Sequence, residues 1–337
     1  MGTNVAVVGA SGYAGGEVLR LVSAHPDLQI TAVTAHGNAG QQVGDVHPHL
    51  RSVAGLTFAA TTPEAVAGAE LVFLALPHGA AADFAAALPQ GTKIVDLGSD
   101  HRLTDQAAHA RYYGGTYTPA WTYGLPELPG QRELIQTADR VANTGCHAVA
   151  AILGIAPIVT SGLGCADDIV VTSASGTSGA GKAAAVHLLG SEVMGDLAAY
   201  KVGAHRHSPE VVQASGATTL TFVPVLAPMP RGILSTIAIK PAKSITEGQA
   251  YEALAAAYSD EPFVHVLPRG QQPHTAATLG SNAAHLQVVL DQNSGRIIVT
   301  SAVDNLGKGA SHQAVQNANL MLGLPETAGL STDGVAP

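Results

Sequence analysis

The first 34 residues constrain this chain more than any other part of it. Asn4–Gly9 (NVAVVG) is a short β-branched run that ends in glycine, the pattern of an interior parallel strand. A glycine-rich stretch, Gly9-Ala10-Ser11-Gly12-Tyr13-Ala14-Gly15, follows; Gly16–Ser23 then has helical periodicity and Leu28–Thr34 reads as a second strand. Strand, tight turn, helix and strand make a βαβ unit, which requires a parallel sheet with helices on its faces. Each glycine has its own task. Gly9 permits the turn, Gly12 lets backbone approach a pyrophosphate, and Gly15 permits close helix packing, while N–H groups at the helix start face the anion. The turn is therefore read as a dinucleotide site that includes Ser11, Tyr13 and Ala14; the alternative is a purely structural turn.

The end of the second strand bears on which dinucleotide. An NAD-selective site carries an acidic side chain roughly 20 residues past the glycines to hold the ribose 2′-hydroxyl, yet Thr31–Asn38 (TAVTAHGN) has no Asp or Glu. NADP is expected, its 2′-phosphate held by Thr34, His36 and backbone N–H groups, with Arg51 the only Lys or Arg between positions 21 and 92. An ordinary loop with mixed specificity is the alternative. Leu71–Leu76 and Lys93–Leu97 read as further strands around a helical Ala80–Leu88, and Pro77 and His78 fall on the cofactor-side loop between them.

Composition removes several classes of function. A chain of 337 residues with 46% hydrophobic and 12% charged side chains is globular and long enough for two domains. A net charge of −9 gives no long-range attraction to phosphate backbones, so nucleic acid is not an expected partner. Two cysteines, Cys146 and Cys165, cannot make a disulfide framework, and the start MGTNVAVVGASG has no secretory pattern. A cytoplasmic setting is expected. The longest apolar stretches, such as VFLALP and VAAILGIAPIV, fall short of the roughly 20 residues that span a bilayer.

Asp100–Pro129, rich in Gly, Pro, Tyr and Trp, reads as a long loop. Beyond Cys146 a helix at 148–160 precedes strand-like runs at Asp168–Ser173, Thr218–Leu226, Ile233–Lys240, His285–Leu290 and Arg296–Val303. Few helices separate them, so a mixed or antiparallel second sheet is expected before a last helix at Ser311–Leu322.

Asn143-Thr144-Gly145-Cys146-His147 puts a thiol at a helix N-terminus, where partial positive charge stabilises thiolate and free N–H groups can hold an oxyanion. Cys165, in GLGCADD, has no such context and reads as inert. His205-Arg206-His207-Ser208-Pro209-Glu210 offers an acid/base histidine, a cation for substrate anions and a carboxylate to orient an imidazole. A metal site is the rival there, but no third or fourth ligand lies at a recognisable spacing, so no metal is expected. Ser175–Lys182 (SGTSGAGK) is a second small-residue loop whose N–H groups could cradle an anion. Lys182 is followed by Ala183, so it is not a phosphate-binding loop of the ATPase kind.

Taken together, GASGYAGGE (9–17), LALPHG (74–79), YGLPEL (123–128), Gly145-Cys146, SGTSGAGK (175–182), HRHSPE (205–210), PMPRGIL (228–234), GSNAAH (280–285) and DNLGKGA (304–310) resemble the N-acetyl-γ-glutamyl-phosphate reductase family almost end to end. The resemblance implies an α/β protein. A Rossmann-type dinucleotide-binding domain of residues 1–147, joined by the C-terminal helix 308–337, would accompany an α+β catalytic and dimerisation domain, 148–307, with the mixed or antiparallel sheet. It implies NADPH-dependent reduction of an acyl phosphate to a semialdehyde in arginine biosynthesis, with release of inorganic phosphate, by a homodimer or homotetramer. Cys146 would be the nucleophile and His205 the acid/base. Ser178, Gly179 and Asn305 would lie near the cofactor, and Arg102, Ser175, Arg206, His207 and Arg231 near the substrate. Two stretches depart from the family pattern. Thr144-Gly145-Cys146-His147-Ala148-Val149 stands where the family has Pro-Gly-Cys-Tyr-Pro-Thr, and Asp100-His101-Arg102-Leu103 where it has Asp-Phe-Arg-Leu. They leave open a paralogue for a different acyl phosphate and a non-catalytic NADP-binding protein. A protonated His147 is expected either to lower the Cys146 pKa or to face away from it.

Overall fold

The computed structural model describes residues 2–335; Met1, Ala336 and Pro337, at the ends of the expected first domain, lie outside them. The chain opens with β1 Thr3–Val8, α1 Tyr13–Ser23, β2 Leu28–Thr34, α2 Val43–Val46, β3 Leu71–Leu74, α3 Ala81–Ala86 and β4 Lys93–Asp96. It continues through α4 Gln106–Tyr112, β5 Thr122–Gly124, α5 Gln131–Thr137, β6 Arg140–Asn143 and α6 Cys146–Thr160. Next come β7 Ile169–Ser175, α7 Gly190–Val193, β8 Ala198–Ala199, α8 Ser208–Ser215, β9 Leu220–Leu226, β10 Ile233–Ile239 and α9 Glu247–Ala257. β11 Val264–Val266, β12 Ala284–Leu290, β13 Ile297–Val303 and α10 His312–Met321 complete it. These elements fall into two compact units. One holds the residues up to Thr104, Gly115–Thr144 and Ala310–Leu330; the other holds Asp105–Gly114, Gly145–Gly309 and the residues from Ser331.

The strands of the first unit form a sheet in the order β2-β1-β3-β4-β6-β5, every pair parallel. Strand β1 carries the reason. Val5 and Val7 enter one apolar layer with Val18, Leu19 and Val22 of α1 and Val315 and Ala318 of α10, while Ala6 and Val8 enter the other with Val72, Leu74, Phe84 and Ile94. A strand apolar on both faces belongs inside a sheet covered on both sides. The chain leaves β1 for β2 on one side and β3 on the other, so the carboxyl ends of β1 and β3 flank the switch point at which such sheets bind ligands. All of α10 is buried in this unit. Its polar side chains tie it to the sheet and to α1: Asn317 donates to Asn143 Oδ1 (3.0 Å) and to the Gly124 carbonyl (3.1 Å), and His312 bonds Glu17 of α1 (2.9 Å).

The second unit is built on a sheet of order β11-β12-β13-β10-β7-β9-β8. β7–β9 and β11–β12 pair parallel and the other neighbours antiparallel, so the sheet is mixed. Helix α6 packs on β10 and β13 and against α8 and α9, burying every residue from His147 to Ile158.

Among the described residues ten elements lie outside the sequence reading: α2, α4, β5, α5, β6, α7, β8, α8, α9 and β11. The stretch read as a loop contains α4, whose Asp105 cap accepts the Ala107 N–H (2.8 Å), and β5. β6 and α9 were not expected either. The domain limits also differ. Residues 145–147 belong with the second unit because α6 seats its first turn on the second sheet, and Ser331 does too because its carbonyl accepts the Asn282 N–H (2.8 Å).

Candidate active site

At the switch point of the first unit Gly9 adopts φ 76°, and a side chain there would strike the Ala75 carbonyl. Only glycine takes that conformation freely. A Cβ on Gly15 would lie 2.5 Å from the Gly9 oxygen and 2.7 Å from Ala10 Cα, so helix and turn touch through bare backbone. Gly12 differs. It is the cap residue of α1, with no side-chain cap on the first turn, and a Cβ there would meet only the Gly9 oxygen at 3.6 Å, leaving room for a ligand's phosphates. These residues fit a pyrophosphate. Ser11 and Ala14 flank the turn and Tyr13 is 40% exposed.

Thr34 is corrected as a 2′-phosphate ligand: it is fully buried and its hydroxyl accepts a hydrogen bond from Thr61 Oγ1 (3.3 Å). His36 is exposed on the loop beyond it. At the ends of β3 and β4, Pro77 is exposed, and Asp100 organises the loop by accepting the N–H groups of Gly79 (2.8 Å) and Ala81 (3.1 Å) and pairing with His78 Nδ1 (2.5 Å). Arg102 is corrected too. Its buried guanidinium group donates to the carbonyls of Asn143 (2.8 Å) and Leu97 (2.9 Å), so it braces the sheet rather than waiting for a substrate anion. His101 stacks on Trp121 with ring centroids 3.7 Å apart, a packing role in the position where the resemblance expects phenylalanine.

Cys146 opens α6, with Gly145 as its cap residue and no side-chain cap. A bare cap leaves the first-turn N–H groups and the positive end of the helix at the thiol. The Gly145 amide is held by Glu210, whose fully buried Oε1 accepts it at 2.6 Å from the first turn of α8. Gly309 passes alongside: a Cβ there would lie 2.9 Å from Cys146 Cβ. That glycine is a site residue the sequence reading missed, although it stands within the DNLGKGA block.

A cluster of rings adjoins the thiol. His147, His205 and His207 lie 4.8 to 5.8 Å apart by ring centroid, with Phe222 and Tyr200 against them. His205 Nδ1 accepts the His207 N–H (3.2 Å), which leaves Nε2 to carry the neutral ring's proton. Burial, helped by Arg206 and Lys201, pushes the His205 pKa down to about 4, and Arg206 itself is exposed. His147 Nδ1 bonds Ser173 Oγ (2.7 Å) and Nε2 bonds the Tyr200 hydroxyl (3.0 Å). Burial, with His205 beside it, pushes the His147 pKa down to about 3. The protonated His147 considered from sequence is thereby overturned, because no charge survives in that position near neutral pH.

The second small-residue loop is also corrected. Its amides are spent on carbonyls: Gly176 on Gly232 (2.9 Å), Thr177 on Met229 (2.9 Å) and Ser178 on Pro230 (3.1 Å). No open cradle of N–H groups forms from these three. Asn305 ties the loop down, donating to Ser178 Oγ (2.9 Å) and accepting the Gly232 N–H (2.7 Å). Gly179 lies beside Ser175, which is itself buried. Arg231 grips the buried carboxylate of Asp304 at 2.7 and 3.0 Å. Among the described residues no helix is long and apolar enough to cross a membrane.

Residues 4–138 match the family model for the semialdehyde dehydrogenase NAD binding domain, and 146–305 that for the semialdehyde dehydrogenase dimerisation domain. The chain is 60% identical to the N-acetyl-gamma-glutamyl-phosphate reductase of Salinispora arenicola over 337 residues, all of both chains. It is 53% identical to the protein of the same name from Acidothermus cellulolyticus, again over all of both chains. Among solved structures, a probable aspartate-semialdehyde dehydrogenase from Pseudomonas aeruginosa matches with a TM-score of 0.72 at 20% identity, covering 96% of this chain and 99% of that one. Aspartate semialdehyde dehydrogenase II from Vibrio cholerae complexed with ASA gives 0.71 at 16% identity, covering 96% and 98%.

Proposed function

The chain belongs to the N-acetyl-γ-glutamyl-phosphate reductase family of semialdehyde dehydrogenases, and from that premise we propose that it reduces N-acetyl-γ-glutamyl phosphate to N-acetylglutamate semialdehyde with NADPH in arginine biosynthesis. Inorganic phosphate is the second product. One observation carries the reading: a thiol on the first residue of a helix whose bare cap is pinned by a buried carboxylate.

The Cys146 thiolate, favoured by the helix terminus, attacks the acyl-phosphate carbonyl; the C–S bond forms, the C–O bond to phosphate breaks, and a thioester remains. First-turn N–H groups hold the oxyanion of the tetrahedral intermediate. Gly9, Gly12, Gly15 and His36 would hold NADPH, which when bound would supply the hydride that reduction of a thioester to the aldehyde level requires. Neutral His205 presents its Nε2–H as a donor to oxygen at the reacting carbon, and Arg206 attracts the substrate's anionic groups. Glu210 keeps the cap in place. The protein acts in the cytoplasm as a homo-oligomer.

The test is phosphate-dependent reduction of NADP with N-acetylglutamate semialdehyde. Wild type is expected to turn over with NADP in clear preference to NAD, and Cys146→Ala to lose turnover while NADPH fluorescence still reports binding. Turnover of Cys146→Ala within tenfold of wild type would refute the assignment.

A further inference from the structure

The side chains joined to His147, the residue after Cys146, form a single file: Ser235 Oγ, Ser173 Oγ (2.8 Å), His147 Nδ1 (2.7 Å), and His147 Nε2 to the Tyr200 hydroxyl (3.0 Å). Ser235 and Ser173 face each other across the β10–β7 pair and both are fully buried. Hydrogen-bond accounting gives the file a direction. The Ser235 hydroxyl has no other hydrogen-bond partner among the described residues. If His147 donated from Nδ1 to Ser173, and Ser173 to Ser235, the buried Ser235 proton would be stranded, an arrangement that buried donors avoid. In the opposite sense every proton is used. Ser235 donates to Ser173, Ser173 donates to Nδ1, and Nε2–H donates to the Tyr200 oxygen. A neutral ring carries one donor and one acceptor, so this choice also fixes the tautomer.

The Tyr200 oxygen then accepts from His147, and its own proton is left over. From this we infer that Tyr200 is a hydrogen-bond donor to the substrate oxygen that becomes negative at Cys146, and that His147, Ser173 and Ser235 are positioning residues that turn its proton outward. The inference rests on the reductase reading above.

Three further observations support it. Tyr200 is half-buried and its amide is held by the Pro224 carbonyl (3.1 Å), while Lys201 after it is bent into the left-handed region at φ 43°, so the backbone delivers the ring to a set place. Its ring centroid lies 5.6 Å from that of His205, the residue read as the acid/base. Burial and the negative charge of Cys146 raise its pKa above the ordinary phenol range against the opposing effect of Arg206, so the proton is present at every working pH.

The experiment compares Tyr200→Phe, His147→Phe and the double variant in the semialdehyde assay, with Tm and NADPH binding as folding controls. Tyr200→Phe is expected to lower kcat and kcat/KM together by about 10²-fold, the usual effect of losing one oxyanion donor. His147→Phe is expected to cost a similar factor alone and nothing more once Tyr200 is Phe, because it acts through that hydroxyl. His147→Gln, which retains an N–H for the tyrosine, is expected to recover most of the loss. Should His147→Phe not fold, Ser173→Ala paired with Tyr200→Phe reads the same coupling. Tyr200→Phe within threefold of wild type, or losses that multiply in the double variant, overturns the inference. A wild type without turnover overturns the reductase reading instead.

Discussion

His147 has both ring nitrogens in hydrogen bonds and a pKa pushed down to about 3, and His205 one of about 4, each from an ordinary 6.5. The sign of the effect on stability follows from which state takes up protons. Above pH 6.5 neither state binds a proton at these rings; below it the unfolded chain does and the folded one does not, so stability falls as pH drops from 6.5 towards 4. At pH 5, 1.5 pH units below the unfolded value, His147 alone costs about 2 kcal/mol. His147→Gln is therefore expected to lose less Tm than wild type between pH 7 and pH 5, by differential scanning fluorimetry. Superimposed profiles would mean that the ring titrates as in the unfolded chain. The same residue marks where sequence stops being informative: a histidine after the nucleophile can be identified, but its partners Ser173 and Tyr200 are 26 and 53 positions away.

At the scale of elements, the nucleotide turn separates packing from binding within four residues. An alanine at Gly15 drives a methyl group into the backbone of Gly9 and Ala10, so helix α1 must shift; Tm is expected to fall, by about 1–3 kcal/mol of overpacking, and NADPH binding with it. An alanine at Gly12, where φ is −78° and the space is open, is expected to leave Tm unchanged and weaken NADPH binding at least tenfold, measured by fluorescence quenching. Equal Tm losses in the two variants would contradict this division. The turn was legible in the sequence because strand, glycines and helix follow one another without a gap, and α6 because fifteen residues are apolar nearly throughout. Strand β6 was not, since four residues between long-range partners carry no periodicity. Helix α9 was open to detection, for Thr246 and Gln249 form a capping box that the reading passed over. At the active site Cys146 could be picked out from its helix start, whereas Glu210 was read within its motif as a carboxylate that orients an imidazole, and its hold on the Gly145 amide, 65 residues away, comes only from the fold.

For the whole molecule, one stretch of surface stands out. Val186, Leu189, Met194, Leu197 and Val202 are 49–79% exposed within a single run of the second unit, the run that includes the edge strand β8. Apolar side chains gathered this way mark an interaction surface, and the run lies inside the segment that matches a dimerisation domain. Wild type is expected to have a light-scattering mass at least twice 34.0 kDa, and Met194→Asp with Leu197→Asp to move it towards the single-chain value. An unchanged mass in that variant would place self-association elsewhere. The burial of α10 in the first unit bears on how the protein is made. β1 through β6 leave the ribosome early, yet α10, which shares with α1 the covering of one face of their sheet, is separated from them by the whole stretch from Gly145 to Gly309. At about 5–20 residues per second the nascent nucleotide-binding half waits roughly ten to thirty seconds with the part of that face under α10 uncovered. During translation this half therefore exposes apolar surface until α10 emerges, and a ribosome stalled before residue 310 holds an amino-terminal sheet without that helix.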